Sequence, residues 1–288
     1  MKLENNYGIL IQGPVYPVTV SIIKHFCNLY GSNSVIVSTW KDSEPCFLEA
    51  INTLTENLVL NTLPEFPGKA NRNAQIASTI SGIKKAKEIG MEYLAKIRSD
   101  LLIEDKYFMQ KCHSLLETYS DGQYKDFKLR KRLIVPNIYT RKYLFYHPSD
   151  WFMFGHIDDL YTYWDLPMDL RKLNFTIRGL AEDASKTACF PEIYFCKEFC
   201  KKIGWNTTDT FEDSLSLFKN IFIVFDHQFF RFNFAKGPIL EKYYGSMECY
   251  EVLNFSYWLG LYHDLIDLRE EAYEFKQKNY ISDILIST

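Results

Sequence analysis

The sequence predicts an α/β protein: a mixed, mainly parallel sheet flanked by helices, with a helical and aromatic carboxyl-terminal part. Three observations predict it. Short apolar runs at 7–11 and 34–39 end in polar or Gly-Pro stretches, as strands buried on both faces do. A segment of helical spacing, 18–30, lies between them and ends at Gly31, so strand, helix and strand follow within about 35 residues. Such a unit pairs its strands in parallel through a right-handed crossover. Third, polar residues stand just after successive strands (Gln12, Ser38 and Thr39, Asp100, Asp150), and the carboxyl edge of an open α/β sheet is where ligands bind.

The first strand closes at Gln12-Gly13-Pro14 and the second runs into Trp40. A third is expected at 58–61. A proline- and glycine-containing loop at 64–68 leads to a helix over 71–87, with Ile76, Ile80 and Ile83 turned inward. Asn71 or Asn73 suits its amino cap. Arg72 serves there either as a phosphate ligand, since a helix start attracts anions, or as a local cap or ion pair. After a turn at 89–92 comes the strand containing Lys96-Ile97-Arg98-Ser99-Asp100. Alternation puts Lys96, Arg98 and Asp100 on one face. Two cations and a carboxylate at a strand's carboxyl end suit a diphosphate, with or without a divalent ion; a solvated edge strand is the plainer alternative. The pattern continues with a helix at 105–119, a strand at 133–136, an aromatic strand between Asp150 and Gly155, and a helix at 157–163. An irregular loop follows at 173–189, then a helix from Pro191 to about 203, where Pro with Glu192 behind it makes a standard helix start. A helix at 213–219, strands at 221–225 and 228–234, and helical segments complete the chain. Asp150 beside Trp151 is a way to hold a sugar, by hydrogen bonding and ring stacking, or else a turn cap beside core aromatics.

Bulk properties narrow the classes. The 288 residues are 47% hydrophobic and 24% charged, a globular profile with room for a sizeable core. Aromatics reach 16%, enough for a broad core and for stacking surfaces. With 33 basic and 36 acidic residues the formal charge is −3, so no global basic field is available to nucleic acid. The local basic cluster at 125–142 (Lys125, Lys128, Arg130, Lys131, Arg132, Arg141, Lys142) is the candidate for anionic headgroups, or a solvated loop. Seven cysteines with no CxxC pair read as reduced thiols of a cytoplasmic protein, Cys196 and Cys200 packing on one helical face. Residues 1–6 lack the pattern of a signal peptide, and no apolar run approaches the ~20 residues of a membrane span. GxGxxG, Walker, GxSxG and HExxH signatures are absent, and no two of the six histidines have zinc-ligand spacing. Asp226-His227 after a strand is a further polar pair that suits a ligand contact or a structural role.

Group transfer from an activated donor would use these residues. A departing diphosphate needs positive charge or metal, and an acceptor hydroxyl needs a carboxylate base. Lys96, Arg98 and Asp100 suit the first need, Asp150 or Glu192 the second.

Taken in order, Ile11-Gln12-Gly13-Pro14, Val37-Ser38-Thr39-Trp40, Asn71-Arg72-Asn73-Ala74-Gln75-Ile76, Lys96-Ile97-Arg98-Ser99-Asp100, Ser149-Asp150-Trp151-Phe152 and Pro191-Glu192-Ile193-Tyr194 resemble the WavE-type lipopolysaccharide-synthesis family. The resemblance spans about residues 8 to 205 and implies a bacterial glycosyltransferase with a GT-A-like nucleotide-sugar fold. No linker splits the chain, so one domain is expected over 1–288, with a donor half at about 1–130 and an acceptor half at about 131–288. Gln12, Gly13, Ser38, Thr39, Trp40, Asn71, Arg72, Asn73, Gln75, Lys96, Arg98 and Asp100 would hold the donor, expected to be UDP-linked and galactose-type, pyranose or furanose. Arg98-Ser99-Asp100 stands where GT-A enzymes carry Asp-x-Asp. Arg98 replaces the first acid, so Asp100 binds Mn or Mg alone, or Lys96 and Arg98 neutralise the diphosphate directly. Glu192 is the implied base of an inverting reaction. Asp150 would orient the acceptor, a lipopolysaccharide or capsular glycan or glycolipid, with Trp151 and Tyr194 beside it, at the inner face of the cytoplasmic membrane. Two other readings stay open: a carbohydrate-binding or assembly protein without turnover, and a nucleotidyltransferase acting on sugar phosphates.

Overall fold

The computed structural model describes residues 6–172, 181–234 and 252–277. Most of the amino-terminal stretch read for a signal peptide, the first part of the 173–189 segment, Cys249 and the last part of the carboxyl-terminal helical region lie outside them.

Seven strands form one sheet in the order β3-β2-β1-β4-β7-β6-β8: β1 Tyr7–Gln12, β2 Val35–Trp40, β3 Leu58–Asn61, β4 Tyr93–Arg98, β6 Leu133–Pro136, β7 Phe152–His156 and β8 Phe222–Phe225. The α/β class expected from the βαβ opening is the class observed. β1 pairs in parallel with β2 on one side and β4 on the other, with Gln12 level with Ser38 and with Arg98. The chain therefore winds outward from β1 in both directions, and a crevice opens where the winding reverses. β7 runs antiparallel to β4 and β6, which makes the sheet mixed. Strands from beyond residue 130 thus continue the sheet begun by the first hundred.

Why the central strands sit there is plain from their side chains. All six residues of β1 are buried, as are five of six in β2 and in β4. Helices α1 Pro17–Tyr30, α2 Pro45–Asn52 and α3 Arg72–Glu88 belong to the first half; α4 Phe108–Thr118 and α5 Ile157–Trp164 follow. α3 lies directly on β1, where Gly82 lets the two backbones approach: a Cβ at that position would stand 2.3 Å from Leu10 Cδ1.

Several expectations need correcting. The segment read as an irregular loop contains a helix, α6 Ala181–Thr187, ahead of α7 Pro191–Ile203. Its small and polar residues carry no apolar stripe to announce it. The helix expected from 105 starts at Phe108, after a turn in which Asp105 accepts from the Tyr107 and Phe108 amides, and Leu101–Ile103 forms strand β5, paired antiparallel with β9 Phe232–Phe234. The strand expected at 228–234 is a 3-10 turn, His227–Phe230, followed by β9. α8 Phe211–Ile221, α9 Phe255–Tyr262 and α10 Leu268–Gln277 pack beyond β8. Six cysteines among the described residues are free, with Cys196 and Cys200 buried on α7 as helix packing requires. No described helix is long and apolar enough to cross a membrane.

The close α3–β1 contact sets where the amino end of α3 points. Gly82→Ala is expected to destabilise by about 1–3 kcal/mol, overpacking outweighing the ~1 kcal/mol of better helix propensity. Urea unfolding checks it; a stabilised variant would mean that Leu10 moves aside freely.

Candidate functional site

A cavity of about 230 Å3 opens at the carboxyl ends of β1 and β4. Its floor is the turn after β1. Gly13 takes φ +122° and donates to the Ser38 carbonyl at 3.1 Å, and Ser99 Oγ donates to the Pro14 carbonyl at 2.6 Å. Thr19 of α1 reaches back to the Ser99 carbonyl at 2.9 Å. Three segments distant in sequence are thereby locked at one edge. On the opposite wall stands the start of α3, entered through Ala70 and Asn71, both left-handed at φ 49° and 58°. Neither is glycine, and such residues cost energy that folds tolerate mainly at functional sites. Asn71 occupies the cap position expected for it, but its side chain makes no cap hydrogen bond.

Among the expected donor residues, Gln12, Gly13, Asn71, Gln75, Arg98 and Asp100 line this cavity, and Asp150 joins them from the loop before β7. Tyr16 lines it too. A tyrosine after Gly-Pro carries no charge signal in the sequence, although its place in the first strand-to-helix turn is itself a hint.

The others are committed elsewhere. Ser38 Oγ donates to the Ser78 carbonyl at 2.6 Å and accepts from Asn61, fastening β2 to α3 and β3. Thr39 pairs with Ser43 at 3.3 Å, and Trp40 is half-buried at the strand end. Arg72 is fully buried and meets Asp169 at 2.6 Å and the carbonyls of Ala188 and Cys189. Asn73 holds the Phe66 carbonyl and both backbone groups of Asp169. Tyr194 is enclosed by the guanidinium groups of Arg72 and Arg171, at 5.3 and 5.5 Å from its ring centre. These residues knot the 166–172 segment to α3 and α7. The expected basic cluster at 125–142 also disperses. Arg132 and Lys142 are buried, the latter on Glu271, while Arg130 and Lys131 pair with Asp158 and Glu117.

Lys96, Arg98 and Asp100 diverge in the same way. Lys96 has no solvent exposure; its Nζ donates to the Asp150 carbonyl and lies 4.7 Å from the centre of the Trp164 ring. Burial and the neighbouring Arg98 pull its pKa down to about 8. Arg98 forks onto both oxygens of Asp100, at 2.9 and 3.0 Å, and stacks 4.8 Å from Trp151. Trp151 in turn stacks on Tyr139 at 4.5 Å and meets the edge of Phe234, so it is packed rather than open to a sugar. Arg98 keeps 36% of its side chain exposed, on the cavity.

Behind it lies a pair of acids. Asp150 is raised above the ordinary carboxylate range by burial and then by Glu192, and burial raises Glu192 as well. His147 Nδ1 faces the Tyr139 carbonyl at 3.0 Å, so it carries the ring hydrogen. Burial and Arg141 hold His147 neutral, with a pKa of about 3, leaving a bare Nε2 at 3.5 Å from Glu192. A bare nitrogen there favours the protonated form of Glu192.

The resemblance left two roles open at Asp100, a Mn or Mg ligand or a bystander to direct neutralisation of the diphosphate by Lys96 and Arg98. The donor set does not fit a divalent ion: both Asp100 oxygens already face a guanidinium, whose charge repels a second cation. Among the described residues no three His, Cys, Asp or Glu gather as metal ligands.

The chain matches the sequence profile of the family described as WavE lipopolysaccharide synthesis over residues 8–198. The chain belongs to the WavE family. No curated protein and no solved structure matches it. The WavE match takes in every cavity-lining residue named above and ends within α7, before β8. Its description places this WavE chain in lipopolysaccharide synthesis, which implies a glycan acceptor.

The buried knot makes a stability claim that separates it from ligand binding. Burial pushes the Asp169 carboxyl up, but the fork from Arg171 and the charge of Arg72 outweigh it and hold the pKa below the ordinary value. The stabilisation is therefore present above the ordinary carboxylate pKa and lost as pH falls through the lowered one. Asp169→Ala is expected to cost about 3–5 kcal/mol by leaving Arg72 uncompensated. Arg72→Met with Asp169→Leu should cost less than that single change. Simple additivity in urea unfolding would refute the pairing.

Proposed function

We propose that this WavE chain is a glycosyltransferase that moves a sugar from a nucleotide diphosphate donor, UDP-linked and galactose-type, to a hydroxyl of a lipopolysaccharide intermediate. One observation carries the reading. A single cavity at the sheet's switch point brings together a half-buried guanidinium, Arg98, the start of α3 and a buried carboxylate, Asp150. A helix start and an arginine fork both suit phosphate oxygens.

In this mechanism the donor diphosphate lies between Arg98 and the Ala70–Asn71 turn, with Gln12, Gln75 and Tyr16 around the nucleotide. Asp150 takes the proton of the acceptor hydroxyl. The oxygen attacks the anomeric carbon as the bond to the diphosphate breaks, and the charge released onto the leaving group meets Arg98, which does the work often given to a metal. One displacement with one base inverts the anomeric centre. We give the base role to Asp150 rather than Glu192 because Asp150 lines the cavity, while Glu192 faces a neutral His147. Glu192, its pKa raised by burial, holds the Asp150 side of the site in place.

A panel of nucleotide sugars tested for heat stabilisation names the donor, since a ligand bound only by the folded state raises the melting temperature. A UDP-sugar is expected to do so without Mn, and Arg98→Ala to abolish the effect. The released product should be nucleoside diphosphate. Pyrophosphate would indicate nucleotidyl transfer instead, and silence across the panel would leave a binding protein.

Turnover gives a second test. Asp150→Asn is expected to lower kcat by about 10²–10⁴-fold, and Glu192→Gln by no more than about tenfold. Activity should be lost, as pH falls, above the ordinary carboxylate range, because a base with a raised pKa is protonated earlier. Lys96→Met removes a cation that lowers the Asp150 pKa, so that acid limb should move to higher pH. A limb that stays put or moves down would remove Asp150 from the base role.

A further inference from the structure

Ten large apolar side chains are exposed among the described residues, and five of them (Leu60, Leu63, Phe66, Met168 and Leu170) fall in two short segments. Those segments are neighbours. Asn73 Nδ2 donates to the Phe66 carbonyl at 3.0 Å and to the Asp169 carbonyl at 2.9 Å, so one amide group staples both. The staple is rigid, since Asp169 is itself gripped by buried Arg72. Leu170 projects furthest, at 75% exposure. Beside these side chains stand the exposed Lys69 and Lys172, while Arg171 is spent on Asp169; the exposed acids of the same loops are Glu65 and Asp165, the latter paired with Lys202. The first loop runs straight into Ala70 and Asn71, which line the cavity.

We infer that this face seats the protein on an anionic membrane surface, with the apolar side chains entering the headgroup boundary and the cations meeting lipid phosphates. Exposed apolar side chains of this number on one soluble face mark an interaction site, and apolar knobs ringed by Lys and Arg are the pattern of interfacial binding. The location differs from the 125–142 cluster that the sequence pointed to, whose charges are largely buried or paired. It puts the cavity mouth beside the headgroups, where a lipid-linked acceptor would present its glycan. That last consequence rests on the glycosyltransferase reading, whereas the docking is measured without any substrate.

The full chain is sedimented with vesicles of phosphatidylcholine and phosphatidylglycerol, and with phosphatidylcholine alone. Binding to the anionic vesicles is expected, weakened at least about tenfold by Phe66→Ser with Leu170→Ser. Lys69→Gln with Lys172→Gln should weaken it about fivefold per charge and reduce its salt dependence. Leu170→Ser alone, at the most exposed position, keeps the test standing if the pair folds poorly. Arg98→Ala, expected to lose donor binding, should bind vesicles like the parent, so a failure of the catalytic reading is visible separately. Equal binding by parent and both double variants, or none by the parent, overturns the proposal. So does a parent dimer that Phe66→Ser with Leu170→Ser converts to monomer, which would make the face a contact between copies.

Discussion

A lysine with no path to water in the middle of a sheet must be satisfied from inside, and much of this structure follows from that requirement at Lys96. Its ammonium takes the Asp150 carbonyl and the face of Trp164 as partners. The first fixes the loop entering β7; the second comes from the last residue of α5. One buried charge thus ties the central strand to the antiparallel strand beside it and to the helix beyond. The cost of keeping an ammonium dry is visible in its lowered pKa. What is gained is a fixed place for Asp150, whose carboxylate then borders the cavity.

Much of the fold was legible because it rests on local pattern. Short apolar runs read as strands: β1, β2, β3 and β6 stand within a residue of their expected positions, while β4 stops at Arg98 and leaves Asp100 in the turn after it. Legibility failed where the signal was not local. α6 lacks an apolar stripe, and β5 has three residues whose partner lies about 130 positions away. The site divides the same way. That polar residues after strands share one edge follows from topology alone, and Gln12, Gly13, Arg98, Asp100 and Asp150 do share it. Which of them are spent on the fold does not follow. Arg72 looks like a phosphate ligand until the carbonyls of Ala188 and Cys189, more than a hundred residues away, take its guanidinium. Alternation put Lys96 and Arg98 on one face, but the packing of Trp164 and Trp151 sends one inward and leaves the other at the cavity.

The Arg98–Asp100 fork joins fold and chemistry. The guanidinium neutralises the Asp100 carboxylate at the cavity, and Trp151 packs against its face. On the proposed reading, a guanidinium already held in place needs no rearrangement when charge develops on a leaving group.

The reversed direction of β7 has a consequence of its own. In a wholly parallel sheet, every residue at the ligand edge follows a strand. Here the loop before β7 reaches that edge too, because an antiparallel strand starts where its neighbours finish. Two kinds of connection therefore meet at one cavity, with separate anchoring: turns after β1 and β4, stapled to each other, and a long lead-in of residues 137–151 anchored through Lys96 and Trp151. Insertions or exchanges in that lead-in can reshape one wall while the opposite wall keeps its form. A chain built so can alter one side of the cavity and keep the other, and related chains should differ most in the stretch between β6 and β7.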